Sequence, residues 1–166
     1  MSRWRLKNIL KEVVFSLLIF FVVSMVLNYM RQPDTIDQLT DQSVKLISGE
    51  EVDLFEKDRV TLIHFWATWC PTCKFEASNI EDLLDEDIHL VTIAVNSGNA
   101  QKIEQFMQQK GYHYPVVNDN KGVLSKAFGV EVYPTTLIYD KGGRLRFTEV
   151  GYTTTLGLKA RLELIQ

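Results

Sequence analysis

The chain contains two cysteines, Cys70 and Cys73, set two residues apart in Trp69-Cys70-Pro71-Thr72-Cys73. A pair at that spacing can close a small disulfide ring and reopen it, or offer two soft ligands to a metal. A structural zinc site takes four ligands, and His64, His89 and His113 form no second ligand pair at motif spacing. No metal ligand set is therefore assigned. Two cysteines are also too few for a disulfide-stapled scaffold. Thiol exchange remains the strongest chemical reading. Its nucleophile is a thiolate, which a helix N-terminus favours through its unpaired N–H groups and partial positive charge. Pro71 suits a first helical position, so the helix starts at Cys70 or Pro71. Cys70 is then the attacking sulfur. Cys73, one turn further in and shielded, resolves the mixed disulfide.

The surrounding elements must hold that pair in place. Val60 to Trp66 is β-branched and aromatic and reads as a buried strand leading into the motif. Phe75, Ala77, Ile80, Leu83 and Leu84 continue the helix, which ends at Asp85 to Asp87. Upstream, Val44–Ile47 and Glu51–Leu54 flank Ser48-Gly49-Glu50 as a hairpin. Downstream come a strand over Ile88–Val95, a helix over Asn99–Gln109 closed by Gly111, and an extended piece at Tyr114–Val117. A brief helix over Lys121–Phe128 follows. Strands over Thr135–Tyr139 and Arg144–Val150 then flank the turn Asp140-Lys141-Gly142-Gly143. A last helix, capped by Thr154 or Thr155, runs to Ile165. Alternation of this kind predicts an α/β fold with a parallel or mixed sheet covered on both faces.

The chain has 166 residues, enough for one domain with a core, and 46% of them are apolar, as in ordinary globular proteins. A net charge of -3 argues against nucleic acid as a partner, because phosphate binding needs clustered Lys and Arg. Val13 to Met30 is almost wholly apolar, broken only by Ser16, Ser24 and Asn28. At about 1.5 Å per residue it just spans a bilayer. Arg3, Arg5, Lys7 and Lys11 precede it, Arg31 follows, and Trp4 and Tyr29 suit the two interfaces. The expected organisation is a cytoplasmic tail over 1–12, a transmembrane anchor in the lipid bilayer over 13–30, a linker over 31–43 and a domain over 44–166. The positive-inside rule places that domain outside the cytoplasmic membrane. A cleaved signal peptide would need small residues after the apolar run, where Asn28-Tyr29-Met30-Arg31 stands instead. An apolar run on all faces also speaks against a buried core helix.

The segment Phe65-Trp66-Ala67-Thr68-Trp69-Cys70-Pro71-Thr72-Cys73-Lys74 resembles the strand-loop-helix signature of the thioredoxin superfamily. Val132-Tyr133-Pro134-Thr135-Thr136-Leu137 resembles its second signature, in which a cis proline opens a central strand. The basic N-terminal anchor, the hairpin and the helical stretch after Val95 are similar to membrane-tethered extracytoplasmic members. These include the TlpA, ResA and cytochrome c maturation types, and the disulfide oxidoreductase of the suppressor-of-copper-sensitivity group, which looks nearest.

The resemblance implies a thioredoxin fold, with a central mixed sheet and helices on both faces, after one N-terminal transmembrane helix. It implies a periplasmic thiol-disulfide oxidoreductase of the inner membrane, leaning towards reduction. Its partners would be protein thiol and disulfide substrates and a membrane electron-donor thiol protein. No cofactor is expected beyond the redox-active pair Cys70–Cys73. A dithiol oxidase and a Cu(I)-handling protein are the alternatives. Pro134 would lie against the cysteines and offer backbone groups to an extended substrate, with Trp69, Pro71, Thr72 and Tyr133 around it. Tyr133 departs from the Thr, Val or Ile common at its position; it either fills the substrate groove or is a partly exposed strand aromatic. His64 stands where relatives carry a buried Asp that relays protons; it either accepts a proton from Cys73 or is a core histidine. Glu76 matches a carboxylate of the ResA-like subgroup; it is either a proton acceptor or an exposed helix residue.

Overall fold

The computed structural model describes residues 11–20, 22, 23 and 35–166. The chain divides into two units, Met1–Gln32 and Pro33–Gln166. In the first, residues 11–20, 22 and 23 are helical (α1) and exposed. Among the described residues no helix is long and apolar enough to cross a membrane. The basic tail over 1–10, residue 21, the rest of the expected anchor over 24–30 and the linker residues 31–34 lie outside the described residues.

The second unit starts earlier than expected. Part of the polar stretch assigned to the linker packs on the domain, because Ile36 and Leu39 are apolar. Leu39 is buried, its N–H donates to the Gly143 carbonyl at 2.8 Å, and the Ile36 carbonyl accepts the Tyr139 hydroxyl at 3.0 Å. A two-stranded hairpin follows, β1 (Ser43–Lys45) with β2 (Glu51–Asp53).

The strand leading to the cysteines, β3 (Val60–Trp66), is buried throughout. It is followed by α2 (Pro71–Glu81), β4 (Ile88–Val95), α3 (Ala100–Lys110), β5 (Val116–Asp119) and α4 (Val123–Ala127). The chain ends with β6 (Thr135–Tyr139), β7 (Leu145–Val150) and α5 (Thr155–Glu163). The sheet order is β5-β4-β3-β6-β7, with β3, β4 and β5 parallel and β6 and β7 antiparallel. This is the mixed sheet expected. Several elements differ in extent, α2 and β5 among them. The helix α2 stops at Glu81, short of Asp85, because Asp82, Asp85, Glu86 and Asp87 oppose the negative end of the helix dipole. The strand β5 continues to Asp119, which pairs with Val95.

Side chains alternate across β3 and feed two cores. Val60, Leu62 and Trp66 pack with Cys73 and Ile80 of α2, Ile103 and Met107 of α3, and Leu158 and Leu162 of α5. Ile63 and Phe65 pack on the opposite face with the hairpin residues Val44, Leu46 and Leu54 and with Phe128 after α4. Trp66 donates its indole N–H to Thr92 Oγ1 at 3.2 Å and meets Tyr114 edge-on at 5.9 Å, so it is a core residue. The consequence for the site is rigidity: the strand that delivers the motif is fixed on both faces before the chain leaves the sheet.

Candidate functional site

Cys70 occupies the N-cap of α2 in extended backbone geometry, with Pro71 next in the first turn. N-caps normally present a side-chain oxygen to the free N–H groups of the first turn. Here the cap is sulfur: the Cys73 backbone N–H donates to Cys70 Sγ at 3.2 Å. That contact sets this sulfur at the N-terminal tip of the helix. The Cys70 thiol also lies 3.6 Å from the Tyr133 carbonyl. Pro71 and Thr72 face solvent. Cys73 is buried against Ile80 and Trp66, and both cysteines are free thiols. Burial, then the bond with Cys70, pushes the Cys73 thiol well above its ordinary range. The two sulfurs are thus made unequal by position alone, one at a helix tip and one inside.

Glu76 follows Cys73 by three residues and so shares its helix face. It is fully buried, and the plain exposed alternative does not hold. Its Oε1 accepts the Thr153 N–H at 2.8 Å, whereas Oε2 is buried without a partner. Burial raises its carboxyl to about 7, with Glu149 adding to the rise and the Thr153 N–H opposing it. A carboxyl held there exchanges protons near neutrality.

His64 is buried on β3. Its Nδ1 meets Thr136 Oγ1 at 2.9 Å, across the register pair His64–Thr136 of β3 and β6. Burial lowers its imidazole to about 3, so the ring is neutral. The hydrogen bond of its ring goes to Thr136, which ties the strand before the cysteines to the strand after Pro134.

The Tyr133–Pro134 peptide bond is cis, and Pro134 is buried. Tyr133 is half-buried, and its ring meets Trp69 edge-on at a centroid distance of 6.1 Å. Trp69 is more than half exposed and donates its indole N–H to the Asn96 carbonyl at 3.2 Å. The structure therefore brings together Cys70, Cys73, Glu76, Trp69, Tyr133 and Pro134.

Several contributors carry no motif. Ser97 is buried; its Oγ accepts the Thr68 N–H at 2.9 Å and donates to the Val95 carbonyl at 3.1 Å, fastening the loop that carries Trp69. Its position just past the end of β4, beside the end of β3, is the signal that would have found it. On the other side, Asn79 Nδ2 donates to the Thr153 carbonyl at 2.8 Å, so α2 grips both backbone groups of Thr153. The Gly151 N–H donates to the Pro134 carbonyl at 2.8 Å. One loop thus joins α2 to the proline strand.

Residues 36–148 match the AhpC/TSA family. The chain is 29% identical over 160 residues to a thioredoxin-like protein of Haemophilus influenzae, covering 95% of each chain. It is 34% identical over 122 residues to sporulation thiol-disulfide oxidoreductase A of Bacillus subtilis, covering 70% of this chain and 74% of that one. The crystal structure of StoA from Bacillus subtilis superposes with a TM-score of 0.68 at 29% identity, over 76% of this chain and 98% of that one.

Proposed function

Because the chain belongs to the thioredoxin-like AhpC/TSA family and is a thiol-disulfide oxidoreductase, we propose that Cys70 and Cys73 exchange disulfides with protein substrates outside the cytoplasm, mainly in the reducing direction. The observation that carries this is the sulfur cap on α2, with its resolving partner buried one turn in and a carboxyl one turn further.

The Cys70 thiolate attacks one sulfur of a substrate disulfide. That S–S bond breaks, a mixed disulfide forms, and the departing substrate thiolate takes up a proton. Cys73 then passes its proton to Glu76 and attacks Cys70 Sγ, which releases the second substrate thiolate. Two electrons pass from the dithiol to the substrate, and Cys70–Cys73 closes. A thiol that yields its proton reluctantly is the stronger nucleophile and the poorer leaving group. The burial that raises Cys73 therefore favours the closed ring as product, which supports reduction. Pro134 and Tyr133 present backbone to the substrate segment, and Trp69, Pro71 and Thr72 form its rim. His64 holds β3 to β6 and leaves Glu76 as the proton acceptor.

The apolar run over 13–30 and the basic residues before it support an inner-membrane anchor with the domain on the periplasmic side, supplied with electrons by a membrane thiol protein. The finer likeness to the copper-sensitivity oxidoreductase rests on the sequence segments quoted above. Cu(I) handling by this pair would require two thiolates at once, which the burial of Cys73 opposes.

The test is insulin reduction by the purified chain, together with the potential of the Cys70–Cys73 couple. Cys73→Ser is expected to accumulate mixed disulfides without turnover, and Cys70→Ser to do neither. A potential well below that of the compartment supports reduction, and one typical of strong oxidants reverses the direction. Turnover by Cys70→Ser, or stoichiometric Cu(I) binding without turnover by the unaltered chain, would remove the proposal.

A further inference from the structure

We propose that Trp69 and Tyr133 form an aromatic gate over Cys70, with Tyr133 as the moving leaf, and that the gate favours disulfides flanked by an apolar side chain. This rests on the thiol-exchange reading above. The premise is a conflict between chemistry and burial. Disulfide exchange passes through three sulfurs roughly in line, so the attacking sulfur must be open along one direction. Cys70 is only 5% exposed. Something must move before it can react.

Most of the surroundings are held by backbone. Cys73 and Ile80 anchor α2 in the core, and β6 is hydrogen-bonded along β3. Pro134 is buried, and its carbonyl holds the Gly151 N–H. The two rings are different, since displacing either breaks no hydrogen bond between backbone groups. Trp69 is tethered by its indole N–H to Asn96. Among the described residues the Tyr133 hydroxyl has no hydrogen-bond partner, so its ring is held by packing and by its edge-on contact with Trp69. Tyr133 is accordingly the cheaper of the two to displace.

The selectivity follows from what the opening exposes. Swinging Tyr133 away uncovers the part of the Trp69 ring that it meets, and Val132, the residue before Tyr133, is itself 47% exposed. An aromatic or aliphatic side chain next to the substrate cysteine can take the vacated place on Trp69 and restore the lost contact. A disulfide without such a neighbour cannot. An edge-to-face contact corresponds to a factor of about 2 to 12 in an equilibrium, and this sets the size of the effect.

The test separates access from ionisation. In full-length Cys73→Ser protein, which has one thiol, the rate of iodoacetamide alkylation is followed against pH. The midpoint reports ionisation of Cys70, and the high-pH plateau reports access to it. Tyr133→Thr is expected to raise the plateau by about 2- to 12-fold, and Tyr133→Phe, which keeps the ring, to leave it low. With peptide disulfides and the two-cysteine protein, a Phe beside the cysteine is expected to speed exchange over a Ser by a similar factor, and Trp69→Ala to abolish that preference. An unchanged plateau in Tyr133→Thr, or a change confined to the midpoint, overturns the gate. Equal rates for the Phe and Ser peptides overturn the selectivity. Absence of any exchange with either peptide would instead sink the oxidoreductase reading, while alkylation would still report on the gate.

Discussion

Replacing Glu76 by Gln should change how the stability of the fold depends on pH. The carboxyl is fully buried and moves from its ordinary 4.5 to about 7. At about 1.4 kcal/mol per pH unit, its anion is disfavoured in the folded state by about 3 kcal/mol. In the unfolded chain Glu76 ionises from about pH 4.5, whereas the folded chain keeps the proton to about pH 7. Between those values the folded state binds more protons, so stability falls as pH rises and levels off above pH 7. Glu76→Gln cannot ionise and escapes that loss. Gln retains an oxygen for the Thr153 N–H but buries an amide where Oε2 has no partner. That costs about 1–3 kcal/mol at every pH and leaves the slope unaffected. The measurement is urea denaturation of the reduced protein at pH values from 4.5 to 8. The variant should gain about 3 kcal/mol on the unaltered protein across that range. Curves that run parallel would show that the Glu76 carboxyl is not raised, and it would then be too weak a base to draw the proton from Cys73.

His64 should act with the opposite sign. Its folded imidazole is lowered from 6.5 to about 3, so stability falls by up to about 5 kcal/mol as pH drops through that window. The contributions of His64 and Glu76 therefore offset one another between about pH 4.5 and 6.5. His64→Asn should turn that near-level stretch of the urea profile into a slope that falls with rising pH; a variant that stays level there would disprove the offset. Ser97→Ala leaves the Thr68 N–H without its acceptor and should cost about 1–2 kcal/mol. Amide hydrogen exchange checks this: the Thr68 amide should exchange faster than the β3 amides, and unaltered protection would show that Ser97 does not hold the loop.

The sequence was most readable where one physical cause dominates. Val60 to Trp66 is apolar enough to name a buried strand, and Pro71 beside Cys70 names the helix start, as found. Asn99 and Gly111 bracket a helix because one caps it through Asn99 Oδ1 and the other takes a positive φ. The end of α2 falls before the end of its apolar period, because Leu83 and Leu84 continue the period while the acidic residues around them stop the helix. The site was readable in its sulfurs but not in its supports. Glu76 looks the same in sequence whether it is buried or exposed, and what buries it is a loop 77 residues later in the chain. Ser97 and Asn79 act through backbone groups of Thr68, Val95 and Thr153, which have no residue-type signature.

The grip of Glu76 and Asn79 on Thr153 also orders the protein's birth. A chain is made from its N-terminus, so both sulfurs emerge well before the segment that encloses them. Until Gly151 to Leu162 has been synthesised, the inner thiol lacks the cover of Leu158 and Leu162, and Glu76 lacks its amide. A polypeptide that stops short of that segment therefore keeps Cys70 at the helix tip but leaves Cys73 with less cover. The shielding of the inner sulfur is thus completed only once α5 has been made.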